Sequence, residues 1–314
     1  MAIQHLFRFG VVVTTGAPSR EQWISKARNI ENLGYATLLV ADHFSHAFSP
    51  LVALQAAADA TTKLRVGSFV FDNDFRHPAV LAKEVATLDV LTDGRFDLGL
   101  GGGWNQEEYQ QIGLPFEAAG VRLSRLEESI RIIKGLFADE PATFTGKHYT
   151  IHNLDGLPKP VQRPHPPLFI GGGGKRLLTL AAREAEIIGI HYKVNQDGTI
   201  DQEEYTSAGL ARKVAWIRET AGERFNQLEF NLLIAHVEIT ENRQQAIERF
   251  LQEKRWQNLT IEQVIDMPYV LIGTEEQIIE ELLMQREQSH ISYFTVFDKH
   301  YETFAPIVER LAGR

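Results

Sequence analysis

Five stretches carry side chains or backbone able to do chemistry. Asp42-His43-Phe44 sets a carboxylate beside an imidazole, a pair that can accept, donate or orient a proton near neutral pH. The ordinary alternative is a turn capped by Asp42, with His43 facing water. Ser68-Phe69-Val70-Phe71-Asp72-Asn73-Asp74 runs from apolar to acidic, and its phenylalanines fit either a core or a surface pressed against a flat ligand. Gly99-Leu100-Gly101-Gly102-Gly103-Trp104-Asn105 lets a ligand approach the backbone closely, as glycine permits, or simply makes a tight turn. Trp104 suits packing and a pocket wall equally. Gly171-Gly172-Gly173-Gly174-Lys175-Arg176 leads into a helical pattern and is the strongest of the five. Exposed N–H groups, a helix N-terminus and two cations together favour an anion, with Arg176 able to bind it in bidentate fashion. His191 ends an apolar run and fits a pocket-facing or a structural role.

Several chemistries are absent. There are no cysteines, so disulfides and thiolate sites are excluded. No H-E-x-x-H metal motif, no G-x-S-x-G elbow and no Walker ending is present, and no metal is expected. The net charge of −9 comes without a basic stripe, which argues against nucleic acid as a partner. No apolar stretch approaches the length of a membrane span, and no signal-peptide pattern opens the chain, so a cytoplasmic location is expected.

The elements that must hold these stretches alternate. Phe7–Val13, Ala36–Ala41, Leu64–Phe71 and Arg95–Leu100 read as buried parallel strands, separated by helices at Glu21–Leu33, Ser49–Thr61 and Pro78–Leu91. Ser19 offers the first helix an N-cap, and His77 reads as a helix-entry residue before Pro78. The regularity then breaks. A helix at Ser124–Ala138, a hairpin about Thr145-Gly146-Lys147 and the extended proline run Leu157–Pro167 precede the next strand, Pro167–Gly171. Helix Arg176–Glu184, strand Ile187–His191, helix Leu210–Ala221 and strand Phe230–Ile239 follow. A second excursion, Glu241–Ile291, includes a capping box at Thr274 and Gln277, and Ser292–Phe297 closes the series. Val270–Ile272 competes as a ninth strand. The expectation is an α/β chain, one (β/α)8 TIM barrel over residues 1–314, with rim insertions after strands 4 and 7. Ligands then belong at the C-terminal strand ends, where all five stretches fall.

Taken in order, the motifs resemble a known family. Val40-Ala41-Asp42-His43-Phe44, Phe75-Arg76-His77-Pro78-Ala79 and Asp93-Gly94-Arg95-Phe96-Asp97-Leu98-Gly99-Leu100-Gly101 are matched, as is Gly103-Trp104-Asn105 with Glu108-Tyr109. So are Arg125-Leu126-Glu127-Glu128, the run Pro158–Pro164, Gly171–Gly174, Ala181–Ala185 and Leu271-Ile272-Gly273-Thr274. The chain resembles the luciferase-like monooxygenase superfamily from about residue 7 to 297, and within it the branch using the deazaflavin coenzyme F420. The resemblance implies a flat tricyclic cofactor across the strand ends, with Asp42 and His43 at its reactive edge. Ser68, Phe69 and Val70 would form a bulge under one ring face, with a non-proline cis peptide at Ser68–Phe69. Gly102, Gly103 and His191 would line the cofactor. Gly171, Gly172, Gly173, Gly174, Lys175 and Arg176 would hold its phosphate, and the protein would form a homodimer.

Two positions depart from the deazaflavin sugar-phosphate dehydrogenases of the superfamily. A tryptophan four residues after the histidine is Ala47 here, and a glutamate after the strand-four glycines aligns with Trp104. Both departures argue against sugar-phosphate oxidation. The resulting expectation is hydride transfer between F420 and a small organic substrate. The alternatives are an FMN-dependent monooxygenase using reduced flavin and O2, and a non-redox barrel binding a phosphorylated metabolite.

Overall fold

The computed structural model describes residues 5–44, 48–193, 200–253, 256 and 258–314. Among them, eight parallel strands close into a barrel: β1 (Arg8–Val13), β2 (Thr37–Val40), β3 (Arg65–Ser68), β4 (Phe96–Gly101), β5 (Leu168–Gly172), β6 (Ile187–Ile190), β7 (Glu229–Ile234) and β8 (Ile291–Phe297). Each pairs with its neighbours in sequence. β1 pairs with β8, and β3 with β4, which closes the ring. The strands are buried almost throughout, as parallel strands between a packed lumen and a helical shell must be. The shell comprises α1 (Arg20–Asn32), α2 (Pro50–Ala60), α3 (Pro78–Leu91), α4 (Ala119–Phe137), α5 (Lys175–Glu184), α6 (Ser207–Ala221), α7 (Glu275–Ser289) and α8 (Tyr301–Leu311).

Local signals account for the helix ends. Ser19 caps α1 by accepting from the Gln22 N–H, and Trp23, Ala27 and Ile30 form the buried stripe. The His77 side chain caps α3 by accepting from the Ala79 N–H. Ser49 makes no side-chain cap for α2, so Pro50 alone marks that entry. Thr274 and Gln277 form the expected capping box on α7.

Three boundaries differ from the sequence reading. α4 starts at Ala119, one and a half turns earlier than the apolar pattern suggests. The run 230–239 is two strands: β7 stays in the barrel, while His236–Ile239 leaves it and pairs with Val270–Gly273. Val270–Gly273 is therefore a rim strand and does not join the barrel. The hairpin before β5 is present as Ala142–Thr145 paired with Thr150–Leu154.

The lumen is filled from both ends. At the N-terminal end, Arg8 and Arg65 begin their strands and converge on Asp97, and Glu229, at the start of β7, joins them through Arg8. Arg8 pairs with Asp97 and, at 2.8 Å, with Glu229; the Arg65 Nε donates to Asp97 at 3.0 Å. Burial acts to raise the Asp97 carboxyl, but Arg8 and Arg65 outweigh it and hold the group below the usual carboxylate range. Above this floor lie Val12, Leu39, Phe169, Ile187 and Tyr293, with Phe69 and Val70 packed against them.

Phe69 and Val70 reach the lumen because of a bulge. Gly67 faces Asp97 and Phe71 faces Leu100, so four steps on one strand oppose three on the other. The extra residue turns the Ser68–Val70 segment inward. Room for it comes from β4: a Cβ on Gly99 would lie 2.0 Å from the Ser68 carbonyl oxygen, and one on Gly101 would lie 2.6 Å from Val70 Cγ2. The Ser68 hydroxyl bonds both the N–H and the carbonyl of Gly99, which seals the crossing. The non-proline cis peptide is Phe69–Val70, one residue later than expected at Ser68–Phe69. Phe71, by contrast, belongs to the strand–helix core.

A Gly99→Ala variant is expected to lose about 1–3 kcal/mol or more, because the clash is with backbone that cannot rotate away. Gly174→Ala, with open space at its Cβ, is the control and should unfold like the parent. Denaturant unfolding checks both, and parental stability in Gly99→Ala would contradict the crossing.

Candidate functional site

The C-terminal strand ends gather a connected set of polar groups. Asp42 follows β2 and is only 8% exposed. A carboxylate in such a place is costly unless paired. It is gripped by Arg76 at 2.5 and 3.0 Å and accepts the Asp72 N–H at 3.1 Å. The Arg76 guanidinium also lies 4.8 Å from the Phe71 ring centroid. These contacts tie the end of β2 to the segment following the bulge.

His43 points elsewhere. Its Nδ1 lies 2.9 Å from Glu108 Oε2, and the other Glu108 oxygen accepts the Phe44 N–H at 3.2 Å. Glu108 sits on a short helix, Gln106–Gln111, beyond β4. One carboxylate therefore holds both the ring and the backbone of the 43–44 segment. An ionised carboxylate only accepts, so Nδ1 is the donor of this pair. Asp42, the carboxylate next to His43 in sequence, is engaged by Arg76, and Glu108 bonds the imidazole instead. Trp104 stands edge-on to the imidazole, with centroids 5.7 Å apart.

A second acidic cluster supports the short helix. The Tyr109 hydroxyl donates to Asp72 at 2.7 Å and lies 3.2 Å from Asp74. Asp74 accepts from Arg125 at 3.0 Å. Gly103 has φ +70, and a Cβ there would meet the Tyr109 hydroxyl at 2.1 Å and Asp72 Oδ2 at 2.6 Å. A Cβ on Gly102 would meet Leu123 at 2.9 Å. The strand-four glycines thus make room for the protein's own bulge, tyrosine and carboxylate.

The loop after β5 behaves differently along its length. At Gly173 a Cβ would strike the Lys193 nitrogen and the His191 carbonyl oxygen, so this glycine lets the loop pack on the end of β6. Gly172 is crowded by Leu177 and Gly171 only mildly by Phe169. Gly174 caps α5 with nothing within 4 Å of its Cβ position and no side-chain cap. The first N–H groups of α5 have no acceptor within the helix there, as at any helix start. An open cradle with unpaired donors fits a phosphate. Lys175 and Arg176 are exposed beside it. Lys175 Nζ lies 5.7 Å from the Trp216 centroid, and Arg176 donates to the Gly120 carbonyl at 3.0 Å, so neither is committed to a carboxylate. The His191 ring lies tilted against Tyr192, with centroids 3.8 Å apart, directly after β6. The position of Ala47 lies outside the described residues.

Glu108, Arg76, Asp72 and Tyr109 are the site residues missed as such from sequence. The signal for Glu108 and Tyr109 was the fixed spacing from Gly103-Trp104-Asn105. Arg76 sat in a matched motif without an assigned role.

Burial pushes the Asp72 carboxyl up to about 6, against hydrogen bonds from the Asp74 N–H and Tyr109 that favour its ionised form. The folded chain therefore binds this proton more tightly than the unfolded chain, whose aspartates titrate near 4. Its contribution to stability is fully present below about pH 4 and declines as pH rises to about 6, by roughly 3 kcal/mol. Asp72→Asn keeps an acceptor for Tyr109 and should flatten that decline. Urea unfolding at pH 4 and pH 7 reads the difference, and an unchanged slope would remove Asp72 as its source.

Comparison with known proteins adds the lineage. A family model for luciferase-like monooxygenases matches residues 1–292. An FMNH(2)-dependent dimethylsulfone monooxygenase of Pseudomonas putida is 35% identical over 127 residues, covering 40% of this chain and 35% of that protein. An F420-dependent glucose-6-phosphate dehydrogenase of Kineococcus radiotolerans is 33% identical over 164 residues, covering 50% of this chain and 48% of that protein. The chain thus spans half or less of the length of these curated relatives. The coenzyme F420-dependent tetrahydromethanopterin reductase from Methanopyrus kandleri superposes with a TM-score of 0.76 at 16% identity, over 98% of this chain and 99% of that one. Long-chain alkane monooxygenase (LadA) does so at 0.75 and 14%, over 98% and 92%. At such identities the structural likeness concerns the barrel alone. No helix among the described residues is long and apolar enough to cross a membrane. With the family model covering nearly its whole length, the chain belongs to the luciferase-like monooxygenases.

Proposed function

We propose that the chain is an oxidoreductase that transfers a hydride between coenzyme F420 and a small organic substrate. The observation that carries this reading is a joint placement at one end of the barrel: an imidazole anchored by Glu108, and an open helix N-terminus at Gly174. Gly174 and the first N–H groups of α5 would hold the phosphate, with Lys175 and Arg176 adding positive charge. Phe69 and Val70 would offer the apolar surface for the ring, since they cap the lumen and remain half-buried. When bound, the deazaflavin supplies the hydride donor or acceptor.

The chain's own residues handle the proton and the positioning. With Nδ1–H on Glu108, His43 Nε2 can take a proton from a substrate hydroxyl, or return one once the ring is protonated. Glu108 steadies the imidazolium that forms. Asp42 acts one step back, through Arg76 and the Asp72 N–H, by fixing the strand ends that aim His43. Gly102 and Gly103 serve the site by seating Leu123, Tyr109 and Asp72.

The second reading, a monooxygenase using reduced FMN and O2, is favoured by the 35% identity to the dimethylsulfone monooxygenase. Both cofactors bring a phosphate, so the Gly174 cradle suits either. Fluorescence titration of the purified chain with F420 and with FMN separates them. Saturable F420 binding is expected, and tight FMN binding without F420 binding would sink the first reading. Phosphate binding with neither tricycle would favour the non-redox alternative. Gly174→Glu should fold normally yet weaken cofactor binding at least about tenfold, because it sets a carboxylate in the anion cradle. His43→Ala should keep cofactor binding and lose about a hundredfold or more of turnover, the usual scale of a lost acid–base group.

A further inference from the structure

The surroundings of His43 restrict what can be presented to it. Three arginines approach this part of the mouth, and each is spent inside the protein. Arg76 is clamped on Asp42. Arg125 is held by Asp74 at 3.0 Å and by Glu117 at 2.7 Å. Arg122 donates to the carbonyl oxygens of Gly102, Gly103 and Glu117 and stacks 3.9 Å from the Phe116 centroid. Lys175, over the Trp216 ring, and Arg176, which donates to the Gly120 carbonyl, stand at the other ligand feature, the start of α5. On the His43 side the unspent surface is aromatic: Trp104 is 67% exposed and Phe44 56%. Both are anchored from behind, Trp104 against the imidazole and Phe44 against Phe75 at 5.1 Å. Two large aromatic side chains, one packed against the imidazole and one next to it in sequence, left in water, are an uncommon use of apolar surface. They suit a ligand whose burial they reward, since rigid rings gain contact at small entropic cost.

We propose that Trp104 and Phe44 form the substrate subsite, and that the substrate is an uncharged, largely apolar molecule with a flat or cyclic group beside its reacting carbon. Among the described residues, a phosphorylated or carboxylated substrate would meet only arginines already paired here and would lose its hydration without return. Trp104 is therefore a specificity-determining residue: it presents an exposed apolar wall beside the imidazole. This inference rests on His43 marking the reacting centre.

The test uses the cofactor-free chain and a local readout. Nitrogen-edited NMR follows the Trp104 indole N–H, assigned by its loss in Trp104→Phe, together with the His43 ring signals. The probes are 2-naphthalenemethanol, neutral and flat, and glucose 6-phosphate. The expected result is saturable shifts of both residues with the naphthyl probe and none with the sugar phosphate. Trp104→Ala should weaken naphthyl binding at least about fivefold, while Trp104→Phe should keep most of it. Shifts of Trp104 and His43 by glucose 6-phosphate would overturn the proposal, as would naphthyl binding indifferent to Trp104→Ala. Sugar phosphate bound only at the start of α5 leaves these signals unmoved and supports it. Because no cofactor is present, failure here is separate from failure of the F420 reading, which the cofactor titration decides.

Discussion

The architecture of the mouth depends on one packing constraint: an extra residue between β3 and the segment after it must cross β4 where β4 has no side chains. Gly99 and Gly101 supply that gap, and the Ser68 hydroxyl closes it with two hydrogen bonds to Gly99. The crossing does two things at once. It drives Phe69 and Val70 into the lumen, and it returns the chain to β4 at Phe71–Asp72. Asp72 then offers its N–H to Asp42 and its carboxylate to Tyr109, whose helix carries Glu108. The orientation of His43 is thus the last link of a chain of contacts that starts in a bulge about thirty residues downstream.

Those contacts divide the labour between neighbouring residues. On an extended segment adjacent side chains leave opposite sides of the backbone. Asp42 and His43 obey this. One turns inward to a guanidinium, the other outward to the mouth, and each needs its own partner of opposite character. The carboxylate nearest in sequence is consequently unavailable to the imidazole, and one from a different loop takes its place. Holding both His43 and the Phe44 N–H with a single side chain leaves the pair little freedom to drift apart.

This also explains what was legible in the sequence. The barrel was, because buried parallel strands read as unbroken apolar runs and helix entries at Ser19, His77 and Thr274 carry local signatures. The glycine loop was legible as a turn leading into a helix, and within it Gly174 is the residue whose missing side chain leaves open space. The strand-four glycines were not legible, since their occupant is a segment some thirty residues earlier whose inward turn has no periodic signature. The break at Ala235 was hidden because both halves of 230–239 have strand composition, and only tertiary pairing separates β7 from the rim. Glu108 was invisible to pattern reasoning because its partner is defined by the fold. A shared motif spacing pointed to it without saying what it held.

At the opposite end, Arg8, Arg65, Glu229 and Asp97 form an ionic floor, braced by the Arg8 guanidinium 4.4 Å from the Tyr293 ring centroid and by a 2.6 Å bond from Tyr293 to Thr37. None of these residues comes near the mouth. The barrel therefore has a structural pole and a chemical pole with an apolar plug between them. Substitutions that retune Trp104, Phe44 or the loops around them leave the pole that secures closure untouched. A chain organised in this way can vary the far end of its barrel across generations without renegotiating its own foldedness.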